Sequence, residues 1–375
     1  MSEPEIFHED RGDRWQVALR LDGEVVSRVG VVKKRMRIGE AVVRMGGVAG
    51  VWTHEKHRLK GYASRCMEAS IALLEEEGYE MSLLFGIADF YHRFGYGVVF
   101  PDPVLHVRTE NLLRARRRDP IRAMRRADGP EVARIYARCN ARRTGTTLRP
   151  KDWPYFERSP HFKKPGRAVL VLDGSGRTVG YATYAFLDER LRVSEVGARN
   201  PSAFETLAAV LGQQARRRKV EEVEFHLPMD DPFCEFCARL GCRWNIVYPR
   251  NRGAMGRILH LTPLMKALQP ELSRRLRASH LADEGALSLD TDVGAVGLKL
   301  AKRAVTLASN PRQAVRARLP QMALTQLVMG YRSVADVALD PDTAIPARAL
   351  PILDALFPKG YAYMWWSDRF SKRQR

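Results

Sequence analysis

The sequence predicts two mixed α/β units in tandem, each a central sheet with helices, followed by a smaller α+β region. Three observations carry this. Residues 47–96 run as an apolar strand, a basic glycine turn, an amphipathic helix and a second apolar strand. The same order of hairpin, strand, helix, strand, short helix and strand recurs between residues 120 and 247, which reads as an internal duplication. Alternating segments at 285–290 and 296–302 then precede separated helices, the pattern of an α+β region.

Taken in order, WQVALRL, Asp22-Gly23 and EVVSRVGVV form a hairpin signal, and RMRIGEAVVRMGGVAGVW supplies a further strand pair. A helix is expected from Tyr62 to Glu77, stopped by Gly78. Strands at 81–85 and 97–107 complete a first domain, 1–108. A second domain, 119–252, is expected to hold helices at 129–143, 201–217 and 231–240, with strands at 168–172, 178–186, 191–196, 223–227 and 242–247. In a third, 255–375, helices 262–268 and 270–277 meet at Pro270. Helices at 319–329 and 347–357 lead to an aromatic tail of Tyr361, Tyr363, Trp365, Trp366 and Phe370.

Composition narrows the class. A chain of 375 residues with 45% apolar content can bury more than one core. Sixty-two Lys and Arg against 43 Asp and Glu leave +19, a balance suited to anionic ligands. Five cysteines, an odd and sparse set, argue against a disulfide framework and for a reducing cytoplasm. The opening MSEPEIFHED is acidic and lacks the apolar core of a signal peptide. No run of eighteen uncharged apolar residues is present, so no membrane span is expected.

The chemistry concentrates in the turn Arg58-x-x-Gly61-x-Ala63 between strand and helix. Helix starts expose unpaired N–H groups and partial positive charge, and so bind phosphates. Gly61 permits positive φ and close backbone approach. His57, Arg58 and Lys60 add charge. Alone, the pattern is equally that of a basic loop capping a helix. With Phe90-Tyr91-x-Arg93-Phe94-Gly95-Tyr96-Gly97 it resembles the GNAT superfamily of acyl-CoA N-acyltransferases. The tripartite layout and Leu324-Thr325-Gln326-Leu327-Val328-Met329-Gly330-Tyr331 resemble the Eis-type (enhanced intracellular survival) acetyltransferases more narrowly.

The resemblance implies a catalytic GNAT domain, a second GNAT-like domain without cofactor, and a C-terminal domain like sterol carrier proteins. It implies acetyl-CoA as acyl donor, an amine acceptor, no metal, and homo-oligomeric assembly. The backbones of Val51, Trp52 and Thr53 would line the pantetheine arm. Those of Leu59, Lys60, Gly61, Tyr62, Ala63 and Ser64, with Arg58, would hold the pyrophosphate. Gly86 and Ile87 would touch the cofactor, and Tyr91 falls on the general-acid tyrosine. A phenol at ~10 is a weaker acid than a thiol at ~8.5, so full proton transfer is uphill by ~2 kcal/mol. Tyr91 is therefore expected to act first as a hydrogen-bond donor. The competing reading is a core aromatic beside Phe90 and Phe94.

Several features depart from the pattern. Only fourteen residues precede Trp15, too few for the helices that usually wall the acceptor site. Glu55 places a carboxylate beside the phosphate turn. Phe370 resembles the terminal aromatic whose carboxylate serves Eis-type enzymes as base, but Ser371–Arg375 follow it. Asp368, the Arg375 terminus and water remain alternatives for that role. Cys234-x-x-Cys237-x-x-x-x-Cys242, with His226 near, has the thiol density of a zinc site, although the duplication also explains Cys237 and Cys242 as core positions. Arginine runs at 114–126 and 216–219 allow nucleic-acid binding, and solvated faces account for them more simply. The alternative to an enzyme is a GNAT scaffold that binds acyl-CoA, lipid or nucleic acid without turnover.

Overall fold

The structure is a computed structural model and describes residues 3–150, 166–281, 284–309, 311 and 313–370. The first sheet begins with four antiparallel strands, β1 (Glu5–Asp10), β2 (Arg14–Leu21), β3 (Glu24–Ile38) and β4 (Ala41–Thr53). Asp22 and Gly23 join β2 to β3 with φ of 49° and 84°, as a two-residue hairpin turn requires. Helix α1 (Tyr62–Glu76) then crosses to β5 (Met81–Gly86), which pairs parallel to β4. One face of this sheet meets α1 through Met67, Ile71 and Leu74. The helix lies so close that a Cβ on Gly46 would collide with Leu74.

The expected strand at 97–107 is in fact two. Strand β6 (Gly97–Val98) stays in the first sheet, whereas β7 (Asp102–Arg108) leaves for the second. There it sits between two strands of the later unit. The second sheet runs β13 (Arg243–Val247), β7, β12 (Glu222–Phe225), β11 (Arg190–Ala198), β10 (Thr178–Leu187), β9 (Gly166–Leu172) and β8 (Ile121–Ala123). Its helices are α2 (Thr109–Leu112), α3 (Gly129–Cys139), α4 (Pro201–Arg217) and α5 (Pro232–Leu240). In exchange, β14 (Gly253–Ile258) returns to the first sheet and lies between β5 and β6. Sheet membership thus crosses the boundary expected near residue 108.

The remaining region holds α6 (Leu261–Ala278), a sheet in the order β17 (Ala304–Ala308), β16 (Gly294–Ala301), β15 (Gly285–Thr291), β18 (Val315–Arg318), and α7 (Gln321–Val328), α8 (Val334–Val337) and α9 (Leu350–Leu356). Its core continues into the first sheet. Leu264, Leu268 and Leu324 share a cluster with Met36, Met45 and Leu83, covering the face opposite α1. The two helices expected to meet at Pro270 are one. A mid-helix proline costs about 3 kcal/mol. Burial of Leu264, Leu268, Leu272 and Leu276, at about 1.5–3 kcal/mol each, offsets it.

Glu271 ties α6 to the first sheet. It accepts hydrogen bonds from Arg274 (2.8 Å), Arg275 (2.6 Å) and the Glu40 N–H (3.1 Å). Burial pushes its carboxyl up, but these donors outweigh burial and hold it at about 2, against an ordinary 4.5. Because the folded value is depressed, this stabilisation is full above pH 4.5 and is lost as pH falls toward 2. It amounts to about 3 kcal/mol. Glu271→Gln is expected to flatten the pH dependence of urea unfolding in that window; an unchanged slope would remove Glu271 from acid unfolding.

Candidate active site

Strands β4 and β5 pair from Met45–Met81 to Val48–Leu84 and no further. Beyond that point β4 follows β3, through Gly30–Ala49 and Arg28–Trp52, with a register shift between those pairs and Gly50 at φ 59°. Strand β5 instead follows β14, through Phe85–Ala254 and Gly86–Gly253. The two strands therefore part, and the backbone of Val51, Trp52 and Thr53 faces a gap from Phe85 and Gly86. Each side of the gap keeps a sheet neighbour on its outer edge, so the opening costs no outer-edge pairing.

The basic turn lies at one end of this gap. A 3-10 turn, Glu55–His57, leads to Arg58 in extended conformation, Leu59 at φ 63° and Gly61 at φ 77°. A Cβ on Gly61 would meet open space, so glycine is required there by φ and not by room. No side chain caps α1, and its first backbone bond runs from Arg65 to Gly61. The N–H groups of Tyr62, Ala63 and Ser64 thus precede the helix's first internal bond. Arg58, Leu59, Lys60 and Gly61 are exposed. Glu55 points to solvent and sits 3.7 Å from Arg58, so its carboxylate weakens the turn's charge little.

Two further observations fit an elongated anionic ligand with an apolar arm. The buried Nδ1 of His57 has no hydrogen-bond partner among the described residues. Trp52, Leu59 and Ile87 are exposed large apolar side chains, all placed around the gap or its turn.

Tyr91 is buried, and its ring stands edge-on to Phe90 at 4.9 Å. It seats directly on Gly86, where any Cβ would collide with the ring. Burial pushes its phenol above the ordinary range. Among the described residues no protein group hydrogen-bonds its hydroxyl. Tyr96 is the contrast. It is fully buried, bonded to Ser82 at 2.7 Å, and pushed up to about 12 by burial. The structural aromatic of this segment is Tyr96, while Tyr91 keeps an uncommitted hydroxyl.

The other face of the gap holds Phe370, which the resemblance singled out, but its seat on Gly47 was not foreseen. Gly47, next to Gly46 but pointing away from α1, carries the ring of Phe370, which a Cβ there would approach to 2.7 Å. Phe370 also stacks edge-on to Phe85 at 5.6 Å. The Gly46-Gly47 pair inside a strand was the available signal, since glycine there marks close approach. Asp368, an alternative base, is not at the gap. It is buried and accepts from Arg149 (2.9 Å) and Tyr136 (3.0 Å), which occupies both its oxygens. Residues 371–375, including the Arg375 alternative, lie outside the described residues.

The remaining sequence signals fall elsewhere. Cys234 and Cys237 are buried in α5, and burial pushes both thiols up; His226 packs against Trp366 at 5.0 Å. Among the described residues no group of three or more His, Cys, Asp or Glu is arranged to hold a metal. In the arginine run, Arg118 pairs with Glu205 and Arg122 with Asp128. No helix among the described residues is long and apolar enough to cross a membrane.

Parted parallel strands, a glycine turn opening a helix and a tyrosine beyond the second strand define one class. Residues 7–99 match a GNAT acetyltransferase domain model and residues 145–245 match a second, so the chain carries two GNAT acetyltransferase domains in tandem. Over nearly its full length it also shares a fold with several solved structures. A conserved protein from Enterococcus faecalis V583, described as a probable N-acyltransferase, is 19% identical with a TM-score of 0.77, covering 94% of this chain and 89% of that one. A GCN5-related N-acetyltransferase from Kribbella flavida is 19% identical with a TM-score of 0.71, covering 93% and 87%. Eis1 from Mycobacterium abscessus is 18% identical with a TM-score of 0.67, covering 96% and 92%. No curated protein matches the sequence.

Proposed function

We propose that the first domain is an acetyl-CoA-dependent N-acetyltransferase acting on an amine. The observation that carries this is the parted β4–β5 edge, with the Arg58–Ser64 turn at its mouth and Tyr91 beside it. In this reading the backbones of Leu59 to Ser64, with Arg58, hold the pyrophosphate. Val51, Trp52 and Thr53 take the pantetheine arm along the free edge of β4, with Gly86 and Ile87 opposite. Acetyl-CoA supplies an activated acyl group.

Transfer forms a C–N bond and breaks a C–S bond; the amine gives up a proton and the departing sulfur gains one. An alkylamine at ~10.4 is mostly charged at neutral pH, so only its free base attacks. Tyr91, held protonated by burial, donates a hydrogen bond to charge developing at sulfur. The C-terminal region is read as a sterol-carrier-like module serving as a packing partner for the first sheet.

Two assays test the reading. Calorimetry should show acetyl-CoA binding, and thiol release should rise with an amine from a panel of alkylamines, polyamines and lysine peptides. Binding without amine-dependent release would favour the scaffold reading; no binding to folded protein would remove the assignment. Gly86→Ala is expected to tilt Tyr91 from its seat and lower turnover about tenfold or more while the fold persists. Unchanged turnover would show that the ring position is not critical.

A further inference from the structure

We propose that the second GNAT domain is a dock for the chain's own C-terminal tail, and that Arg149 is the positioning residue that sets Phe370 against the gap of the first domain. The reactive role of that gap rests on the function proposed above. The dock itself rests on geometry alone.

The second domain repeats the parting of strands. Strands β11 and β12 pair in parallel from Leu191–Val223 to Val193–Phe225, and the His226 N–H reaches Val193 as the last bond between them. In the first domain the matching gap is open. Here it is filled by residues of the tail. Tyr363 donates to the His226 carbonyl at 2.8 Å, Trp366 packs on the His226 ring, and Ser367 donates to Glu195 of β11 at 3.0 Å. Tyr363 and Trp365 belong to the core of this domain. The duplicated fold has kept its cleft and given it a peptide occupant.

Arg149 locks that occupant. Its guanidinium bonds Glu195 at 2.7 and 2.8 Å, Asp368 at 2.9 Å and Ser367 at 2.6 Å, and lies 3.6 Å from the centre of the Tyr136 ring. The Arg149, Glu195 and Asp368 side chains are 1, 2 and 0% exposed. Apolar residues of equal volume stabilise such a site at least as well, so a buried charge cluster suits fixing one register better than adding stability. Phe370 lies two residues past Asp368, a span of about 7 Å. The clamp therefore leaves the Phe370 ring little travel over Gly47 and Phe85. A thioester held in the gap between β4 and β5 is open to an amine from the face away from α1, which this ring borders.

The test uses the full chain and three variants: Arg149→Lys, Phe370→Ala and the double variant. Hydrogen exchange of peptides within 361–370 reads docking, and amine-dependent thiol release reads positioning. Arg149→Lys keeps the charge but loses the fork. It is expected to speed exchange in the tail and lower kcat about tenfold or more, with acetyl-CoA affinity unchanged. Phe370→Ala should give a similar loss, and the double variant no further loss, because both act through one ring. A merely structural Arg149 would give additive losses and weaken acetyl-CoA binding. Unchanged tail exchange in Arg149→Lys, or additive losses, would overturn the proposal. If Arg149→Lys does not fold, Ser367→Ala replaces it and faces the same criteria. If no amine supports turnover in the parent, the transferase reading fails, and the exchange comparison still decides the dock.

Discussion

Turnover of Tyr91→Phe is expected to fall about 100-fold or more, with acetyl-CoA affinity little changed. The substitution removes one oxygen and leaves the ring on Gly86 and against Phe90. Stability should change little, because the hydroxyl has no protein partner among the described residues to strand. The effect should fall on kcat and on kcat/KM alike, as for an interaction made only as charge develops on sulfur. The pH profile adds a second check. Burial holds the phenol above its ordinary value, so Tyr91 stays protonated through the neutral range. A rate limb near neutrality therefore belongs to another group, such as the amine, and should survive in Tyr91→Phe at a lower plateau. Equal turnover in the two proteins would remove Tyr91 from the mechanism.

The largest expected stability effect is at Arg149. Arg149→Met strands two buried carboxylates, Glu195 and Asp368, and should cost about 3–5 kcal/mol in urea unfolding. A buried carboxylate without a cation keeps its desolvation cost uncompensated. Adding Glu195→Gln and Asp368→Asn to Arg149→Met should recover part of the loss at neutral pH. A loss unrelieved by these amides would mean that packing against Tyr136 dominates, and not charge.

Much of this architecture was readable where local pattern and local structure agree. Helix α4 runs from Pro201 to Arg217 as the sequence predicts, because a capping Asn200, a first-turn proline and an apolar face coincide. The glycine turn before α1 was readable as a turn because Gly61 is conformationally required, and its φ of 77° bears out that need. Strand β1 was missed because its side chains are almost all exposed and carry no alternation. The Pro270 break was wrong because the buried face of α6 outweighs one lost bond. Arg149 was invisible for a different reason. Its partners lie 46 and 219 positions away, and nothing distinguishes it in sequence from the other arginines.

The traded strands also bear on how the protein is made. The first sheet is not complete when its own domain leaves the ribosome, because the strand between β5 and β6 ends at Ile258. About 160 residues must be translated after Val98 before that slot is filled, on the order of ten to thirty seconds. During that interval the nascent first domain carries an unfilled, apolar slot, so chaperones have a defined window in which to shield it.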